Sequence, residues 1–355
     1  MSLPAAFRVA LTADFLDAHG QTKYRDIGLD LFESTATIEV GYLREQHAEI
    51  PPEQLAGVNG AIVLAPRVTA RTLSDSADLL AIGRFGVGFD SVDVAACTDA
   101  DVVLFITTGA VDRPVAEATV GWMLALTHHL RMKDLLVREA RWDARSQYMG
   151  CELRGRTLGV VGFGGIGQSL VKLLAGFGMN QPLVFDPFVS AEVVKQCDVK
   201  PVSLDELLAE SDFVSLHCPL NEQTRNLISS RELALMKPNA YLINTARGSI
   251  VDEDALYDVL AGRRIAGAAL DCFAGEPLTK PPRLADLDNV LLAPHCIAWT
   301  DELFRDIGRA ACQGMIDLSE GRRPRGVVNP TVFARPTFQA KWARLCRAAA
   351  MSEPN

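Results

Sequence analysis

The sequence predicts an α/β protein made of two doubly wound parallel sheets. Short β-branched runs alternate with longer amphipathic segments, most runs are apolar along their whole length, and the alternation occurs in two separate sets. A chain of 355 residues also exceeds what one core organises comfortably, so two domains are expected. There is no internal repeat of fixed period.

The first set of strands comprises FRVALTA (7–13), TIEVGYL (37–43), GAIVLAP (60–66), LLAIGRFGVG (79–88) and VVLFITT (102–108), and forms the smaller domain. The second comprises LGVVGF (158–163), PLVFD (182–186), FVSLHC (213–218), AYLINT (240–245), AGAALDC (266–272) and NVLLAP (289–294). Between the second set lie helices with apolar spacing of three and four, at 166–177, 204–210 and 252–262. Asp205 and the run Asp252-Glu253-Asp254 place carboxylates in first turns, where the helix dipole favours them. Long helical segments at 114–130 and 300–320 flank the second set. The chain therefore leaves the first domain, builds the second and returns. The expected division is 1–110 with 297–335, then 111–296, then a tail 336–355. The tail region carries Phe333, Phe338, Trp342 and Leu345 among basic residues and reads as a short docked helix.

Composition narrows the function. The chain is 48% apolar and 22% charged, with net charge −9, so no global attraction draws it to phosphate backbones or anionic lipid, and nucleic acid is not expected. The eight cysteines are scattered, without a CxxC pair or zinc-ligand spacing, and read as reduced thiols with no metal. No basic stretch leads into an apolar one at the N-terminus, and no apolar run approaches the ~18 residues of a membrane span. A cytoplasmic protein is expected. Met1-Ser2-Leu3 reads as an expression remnant and is set aside.

One motif fixes a cofactor. Gly162-Phe163-Gly164-Gly165-Ile166-Gly167 is a G-x-G-x-x-G directly after a strand and before a helix. Gly162 and Gly164 let the turn close and a pyrophosphate approach the backbone, Gly167 lets the helix pack on the strand, and the helix N-terminus supplies oriented N–H groups. Asp186 lies 19 residues past Gly167 (186 − 167), where an acid accepts hydrogen bonds from ribose hydroxyls. A carboxylate there repels a 2′-phosphate, so NAD is favoured over NADP.

Three stretches sit just beyond strand ends, where open parallel sheets bind ligands: Asn244-Thr245-Ala246-Arg247-Gly248, Asp271-Cys272-Phe273-Ala274-Gly275-Glu276-Pro277 and Ala293-Pro294-His295. With Gly86-Val87-Gly88-Phe89-Asp90, the glycine motif and Leu216-His217-Cys218-Pro219-Leu220, they make the chain resemble the D-isomer-specific 2-hydroxyacid dehydrogenases from about Gly60 to Pro330. The resemblance implies a Rossmann NAD-binding domain inserted into a smaller flavodoxin-like substrate domain, and hydride transfer between NAD(H) and C2 of a small 2-hydroxy or 2-oxo acid. It implies Arg247 as the clamp on substrate carboxylate and carbonyl, a geometry that suits a planar guanidinium. His295 becomes the acid/base, and Glu276 the partner that favours its charged form. Val87 and Gly88 would offer backbone N–H groups to the substrate. Gly165 and Ile166 would face the pyrophosphate, His217, Cys218 and Pro219 the adenosine and ribose, and Thr245, Ala246 and Asp271 the nicotinamide, with Arg247 and His295 touching both cofactor and substrate. A homodimer follows by the same resemblance, with helix 118–130 as candidate interface.

The alternative class is an NADH-sensing, co-repressor-like binding protein with little turnover. Formate-type members pair the histidine with glutamine, so Glu276 argues against a one-carbon donor. Some positions depart from the family pattern. Cys296 and Ile297 follow the histidine, and Leu64 stands where phosphoglycerate dehydrogenases tend to place an arginine, which leaves Arg67 and Arg84 as the nearby cations. Trp299, at the start of a helix, resembles a feature of some hydroxypyruvate-type reductases, with packing as the other reading.

Overall fold

A computed structural model describes residues 6–350, with side chains to 346. Residues 1–5, with the Met1-Ser2-Leu3 stretch, and the last residues of the tail lie outside the described residues. The chain forms two compact units, one from the segments up to Val111 and from Thr300 onward, the other from Asp112–Trp299.

The first unit contains β1 (Phe7–Leu11), α1 (Asp30–Glu33), β2 (Ile38–Tyr42), β3 (Gly60–Val63), β4 (Ala81–Arg84), α2 (Val94–Asp99) and β5 (Val103–Ile106). Its parallel sheet has the order β2-β1-β3-β4-β5, the flavodoxin-like arrangement.

The second unit opens with α3 (Asp112–Thr127) and α4 (Leu130–Arg138) and continues as β6 (Leu158–Val161), α5 (Gly165–Leu174), β7 (Leu183–Phe185), α6 (Ala191–Cys197), β8 (Lys200–Pro201), α7 (Leu204–Glu210), β9 (Phe213–Leu216), α8 (Ser230–Leu235), β10 (Tyr241–Asn244), α9 (Glu253–Ala261), β11 (Gly267–Leu270) and β12 (Val290–Leu292). Every pairing in its sheet is parallel, in the order β12-β11-β10-β9-β6-β7-β8. The strand order reverses between β6 and β9, which makes the carboxyl edge there a ligand crevice.

Both faces of this sheet are covered. Val160 and Val161 are neighbours in sequence, yet Val160 joins the core with Trp122, Met123 and Leu170, while Val161 joins the core with Leu216, Leu256 and Leu260. Ile243 and Leu242 divide in the same way. Alternate side chains thus enter two separate cores, which is why the strands are apolar throughout.

The chain returns to the first unit as α10 (Asp301–Ser319), capped by Thr300 Oγ1 accepting from Leu303 N–H at 3.0 Å. The tail forms α11 (Pro336–Ala350) and docks there. Phe338 is fully buried, its ring 5.5 Å from that of Trp342, and Trp342 Nε1 donates to the Leu318 carbonyl at 2.8 Å.

The single helix expected over 114–130 is broken. Beyond Thr127 the backbone turns left-handed at His129 (φ 52°), and the Thr127 carbonyl accepts from Cys151 N–H at 3.0 Å instead of extending the helix. Among the described residues, no helix is long and apolar enough to cross a membrane.

Candidate active site

The glycine loop links β6 to α5. Gly162 has φ +90°, and a Cβ there would lie 2.6 Å from the Cys218 backbone nitrogen, so only glycine allows the loop to approach the end of β9. At Gly164, which caps α5 without a side-chain bond, a Cβ would meet open space, leaving the helix N-terminus accessible. Gly167 brings α5 onto the loop, since a Cβ there would lie 2.8 Å from the Gly162 carbonyl oxygen.

Asp186, just past β7, accepts Phe163 N–H at 2.7 Å on one oxygen and Phe188 N–H at 2.8 Å on the other. Each carboxylate oxygen keeps a second lone pair, so the acid that pins the glycine loop can still receive ribose hydroxyls. These features fit a dinucleotide: an open helix N-terminus for the pyrophosphate and an acceptor at the end of the neighbouring strand.

Beside β9, His217 pairs through Nε2 with Ser215 Oγ at 2.8 Å, and burial pushes its pKa down to about 4, so the ring stays neutral. Cys218 is buried with its thiol pushed up to about 11 by burial, whereas Pro219 is exposed. Asp112 at the start of α3 went unnoticed in the sequence. Its carboxylate stands against Gly165, and burial raises its pKa.

At the end of β10, the buried Asn244 holds the next loop in shape. Its Oδ1 accepts Ala246 N–H at 3.0 Å and its Nδ2 donates to the Arg247 carbonyl at 2.9 Å. Arg247 Nη1 donates to the Ala246 carbonyl at 2.7 Å. Gly248 lies against the Phe273 backbone, which leaves no room for a Cβ. The loops after β10 and β11 are therefore locked together.

His295 Nδ1 lies 2.7 Å from Glu276 Oε2, while Glu276 Oε1 accepts Phe273 N–H. Burial favours the neutral acid, but hydrogen bonds from His295 and the Phe273 amide, with the charges of His295 and Arg247, hold the Glu276 pKa below its usual range. Glu276 is a carboxylate facing an imidazole.

His295 itself has φ 55°, and Asp271 maintains that bend. The Asp271 carbonyl accepts His295 N–H at 2.8 Å, and its Oδ1 accepts Cys296 N–H at 2.8 Å and Ile297 N–H at 3.1 Å. This anchoring role was not read from the sequence, although a strand-end aspartate level with the histidine loop was a visible signal.

Burial pushes the Asp271 pKa up to about 6, against the pull of those amides. The folded pKa exceeds the unfolded one, so the native state holds the proton more tightly, and stability falls as pH rises from about 4 to 6. Asp271→Asn keeps the Oδ1 acceptor and removes the charge. Subtracting its urea unfolding free energies from the parent's should give a difference that declines by roughly 3 kcal/mol across that window and is flat above it. A difference that is flat from pH 4 to 7 would show that Asp271 does not carry this proton.

Val87 and Gly88 lie in the first unit, in the half-buried loop after β4. There Arg67 pairs with Glu49 at 3.2 Å and Arg84 donates to the Phe85 carbonyl, so each already has a local partner. The Cys296 thiol pKa is raised by burial and by Asp271, which makes it a poor nucleophile. Trp299 is 53% exposed.

Fold and site together define a dinucleotide-dependent α/β protein with an arginine, a glutamate and a histidine at adjacent strand ends. The sequence model of the D-isomer specific 2-hydroxyacid dehydrogenase NAD binding domain matches residues 120–296, inside the second unit. D-3-phosphoglycerate dehydrogenase of Synechocystis sp. is 37% identical over 307 residues, covering 85% of this chain and 54% of that protein. Hydroxypyruvate reductase of Thermotoga maritima is 39% identical over 246 residues, covering 69% of this chain and 79% of that protein. The crystal structure of D-lactate dehydrogenase from Aquifex aeolicus complexed with NAD and lactic acid matches with a TM-score of 0.76 at 28% identity, over 88% of this chain and 96% of that one. The chain belongs to the D-isomer specific 2-hydroxyacid dehydrogenase family. It spans about half the length of the phosphoglycerate dehydrogenases it matches, at 54%, 56% and 50% of three of them.

Proposed function

We propose that this chain interconverts a small D-2-hydroxy acid and its 2-oxo acid with NAD(H). The observation that carries this reading is the 2.7 Å His295–Glu276 pair on loops packed against the Arg247 loop, at the carboxyl ends of β10, β11 and β12. Bound NAD supplies the hydride acceptor or, reduced, the donor. Gly162, Gly164, Gly165, Ile166 and Gly167 would hold its pyrophosphate and Asp186 its ribose, while His217, Cys218, Pro219, Thr245, Ala246 and Asp271 would line the rest of its path. Arg247 would grip the substrate carboxylate, and His295 would deliver or remove the proton at the C2 oxygen with Glu276 balancing its charge. By the family resemblance, Val87 and Gly88 would offer backbone N–H groups to the substrate carboxylate. The test is a panel of 2-oxo and 2-hydroxy acids with NAD(H) and NADP(H). Turnover with small 2-oxo acids and NADH is expected, with NADPH poorer because the Asp186 carboxylate opposes a 2′-phosphate. Failure with every acid in the panel would defeat the reading.

The interface proposed for a homodimer moves from the helix named in the sequence. Trp122, Met123 and Leu126 of α3 are buried in their own unit's core, whereas Leu130, Val137, Trp142 and Met149 further along are 52%, 59%, 60% and 79% exposed. We place the contact on that second segment. Sedimentation of the chain should give twice the monomer mass and Trp142→Glu should lower it, whereas a parent sedimenting as a monomer refutes the dimer. A reducing compartment such as the cytoplasm belongs to the same proposal, supported by the free thiols of all eight cysteines.

A further inference from the structure

We propose that Cys272, Glu276 and His295 form a binding site for a thiophilic divalent cation of the zinc class, and that the bound cation blocks proton transfer at His295. No local pattern announces this site, since the ligands are separated as Cys-x3-Glu and then by eighteen residues to the histidine. The fold brings them together. One ligand atom from each of the three lies within 4.8 Å of the other two.

The donors suit such an ion. Zinc takes thiolate sulfur at ~2.3 Å and imidazole nitrogen or carboxylate oxygen at ~2.0–2.2 Å, and tetrahedral geometry then spaces the ligand atoms by roughly 3.2–3.7 Å. The Nδ1–Oε2 pair, now 2.7 Å apart, would open by about 0.5–1 Å, and the sulfur would close by at most about 1.5 Å. The sulfur starts from a defined place, since Cys272 is 2% exposed and its Sγ donates to the Ala246 carbonyl at 3.3 Å. The loop is also held in place, through Phe273 N–H on Glu276 and His295 N–H on the Asp271 carbonyl. Glu276 and His295 are the exposed members, which leaves the fourth tetrahedral position open to water.

Binding has a definite proton balance. The Cys272 thiol releases its proton to solvent and the sulfur takes the cation. Nδ1 must offer a lone pair, so the proton it shares with Glu276 leaves or moves to Nε2. With Nδ1 bound to metal, the ring has no site for a second proton and cannot form the imidazolium that acts as the acid. The cation therefore displaces protons from its ligands as it binds.

The site stands on geometry, while the block of turnover rests on the catalytic reading above. The test uses the full chain with Co²⁺ and Zn²⁺ as probes. Co²⁺ should produce a near-ultraviolet thiolate-to-cobalt charge-transfer band, and calorimetry should show one Zn²⁺ per chain. Cys272→Val should abolish the band and weaken Zn²⁺ by more than about tenfold, and Cys296→Ser should keep both. Circular dichroism of each variant checks that it is folded. Zn²⁺ should suppress parent turnover, EDTA should restore it, and Cys272→Val should turn over in the presence of Zn²⁺. A chain without the band, or a band that survives Cys272→Val, overturns the site. A Cys272-dependent band in a chain inactive on every acid supports the site and tells against the catalytic reading instead.

Discussion

His295→Asn is expected to lower kcat for 2-oxo acid reduction by about a thousandfold while leaving NADH affinity nearly unchanged. Positioned acid/base groups contribute roughly 10²–10⁴ in rate. Nδ1 of this imidazole is committed to Glu276 at 2.7 Å, which leaves Nε2 for the substrate oxygen. Asparagine is the appropriate replacement because His295 has φ 55°. Asparagine tolerates that region, whereas alanine adds a backbone penalty that would confuse loss of chemistry with loss of loop shape. Asparagine also retains a polar group near Glu276 but cannot carry the proton. Glu276→Gln should be milder, by about one order of magnitude, since the amide oxygen can still orient the ring while the balancing charge is gone. Stopped-flow turnover beside NADH fluorescence titration separates the two effects. Turnover of His295→Asn within tenfold of the parent would mean that the proton comes from another group.

The sheets were legible for a physical reason. Val160 and Val161, or Leu242 and Ile243, must both be apolar because each member of the pair enters a different core, and that produces runs readable without tertiary information. The glycine loop was legible because Gly162 meets the Cys218 backbone and no other residue fits there. Less visible was whatever depends on contacts distant in the chain. The end of α3 is set by Cys151, far along the sequence, so apolar spacing alone ran the helix on through His129. The shape of the histidine loop is set by Asp271, whose bonds to Cys296 and Ile297 have no local signature. Cys272 ends the run 266–272 and reads as a reduced thiol, and only the loop after β11 places its sulfur near Glu276 and His295. The short elements β8 and α8 also escaped, because two and six residues carry too little periodicity to register.

Arg247 offers the other large effect, and there the contrast between two substitutions is more informative than either alone. Arg247→Ala should lower kcat/KM by about a thousandfold, because the substrate would lose both the charge opposite its carboxylate and the donor that polarises its carbonyl. Arg247→Lys retains the charge, yet it should recover only part of the loss. The guanidinium here is aimed by its own surroundings. Asn244 bonds to the backbone on both sides of Ala246, and Nη1 donates to the Ala246 carbonyl, so the guanidinium is held in a fixed plane. A lysine ammonium is a single mobile point charge that cannot use that carbonyl and still present two parallel donors. Misplacement of about 1 Å costs on the order of a hundredfold, so Arg247→Lys should remain about two orders of magnitude below the parent, with kcat falling as well as KM rising. Free guanidinium added to Arg247→Ala should restore activity in proportion to its concentration, and ammonium should not. If lysine restores full kcat, the residue supplies charge alone, and the ordered loop beneath it has some purpose other than orientation.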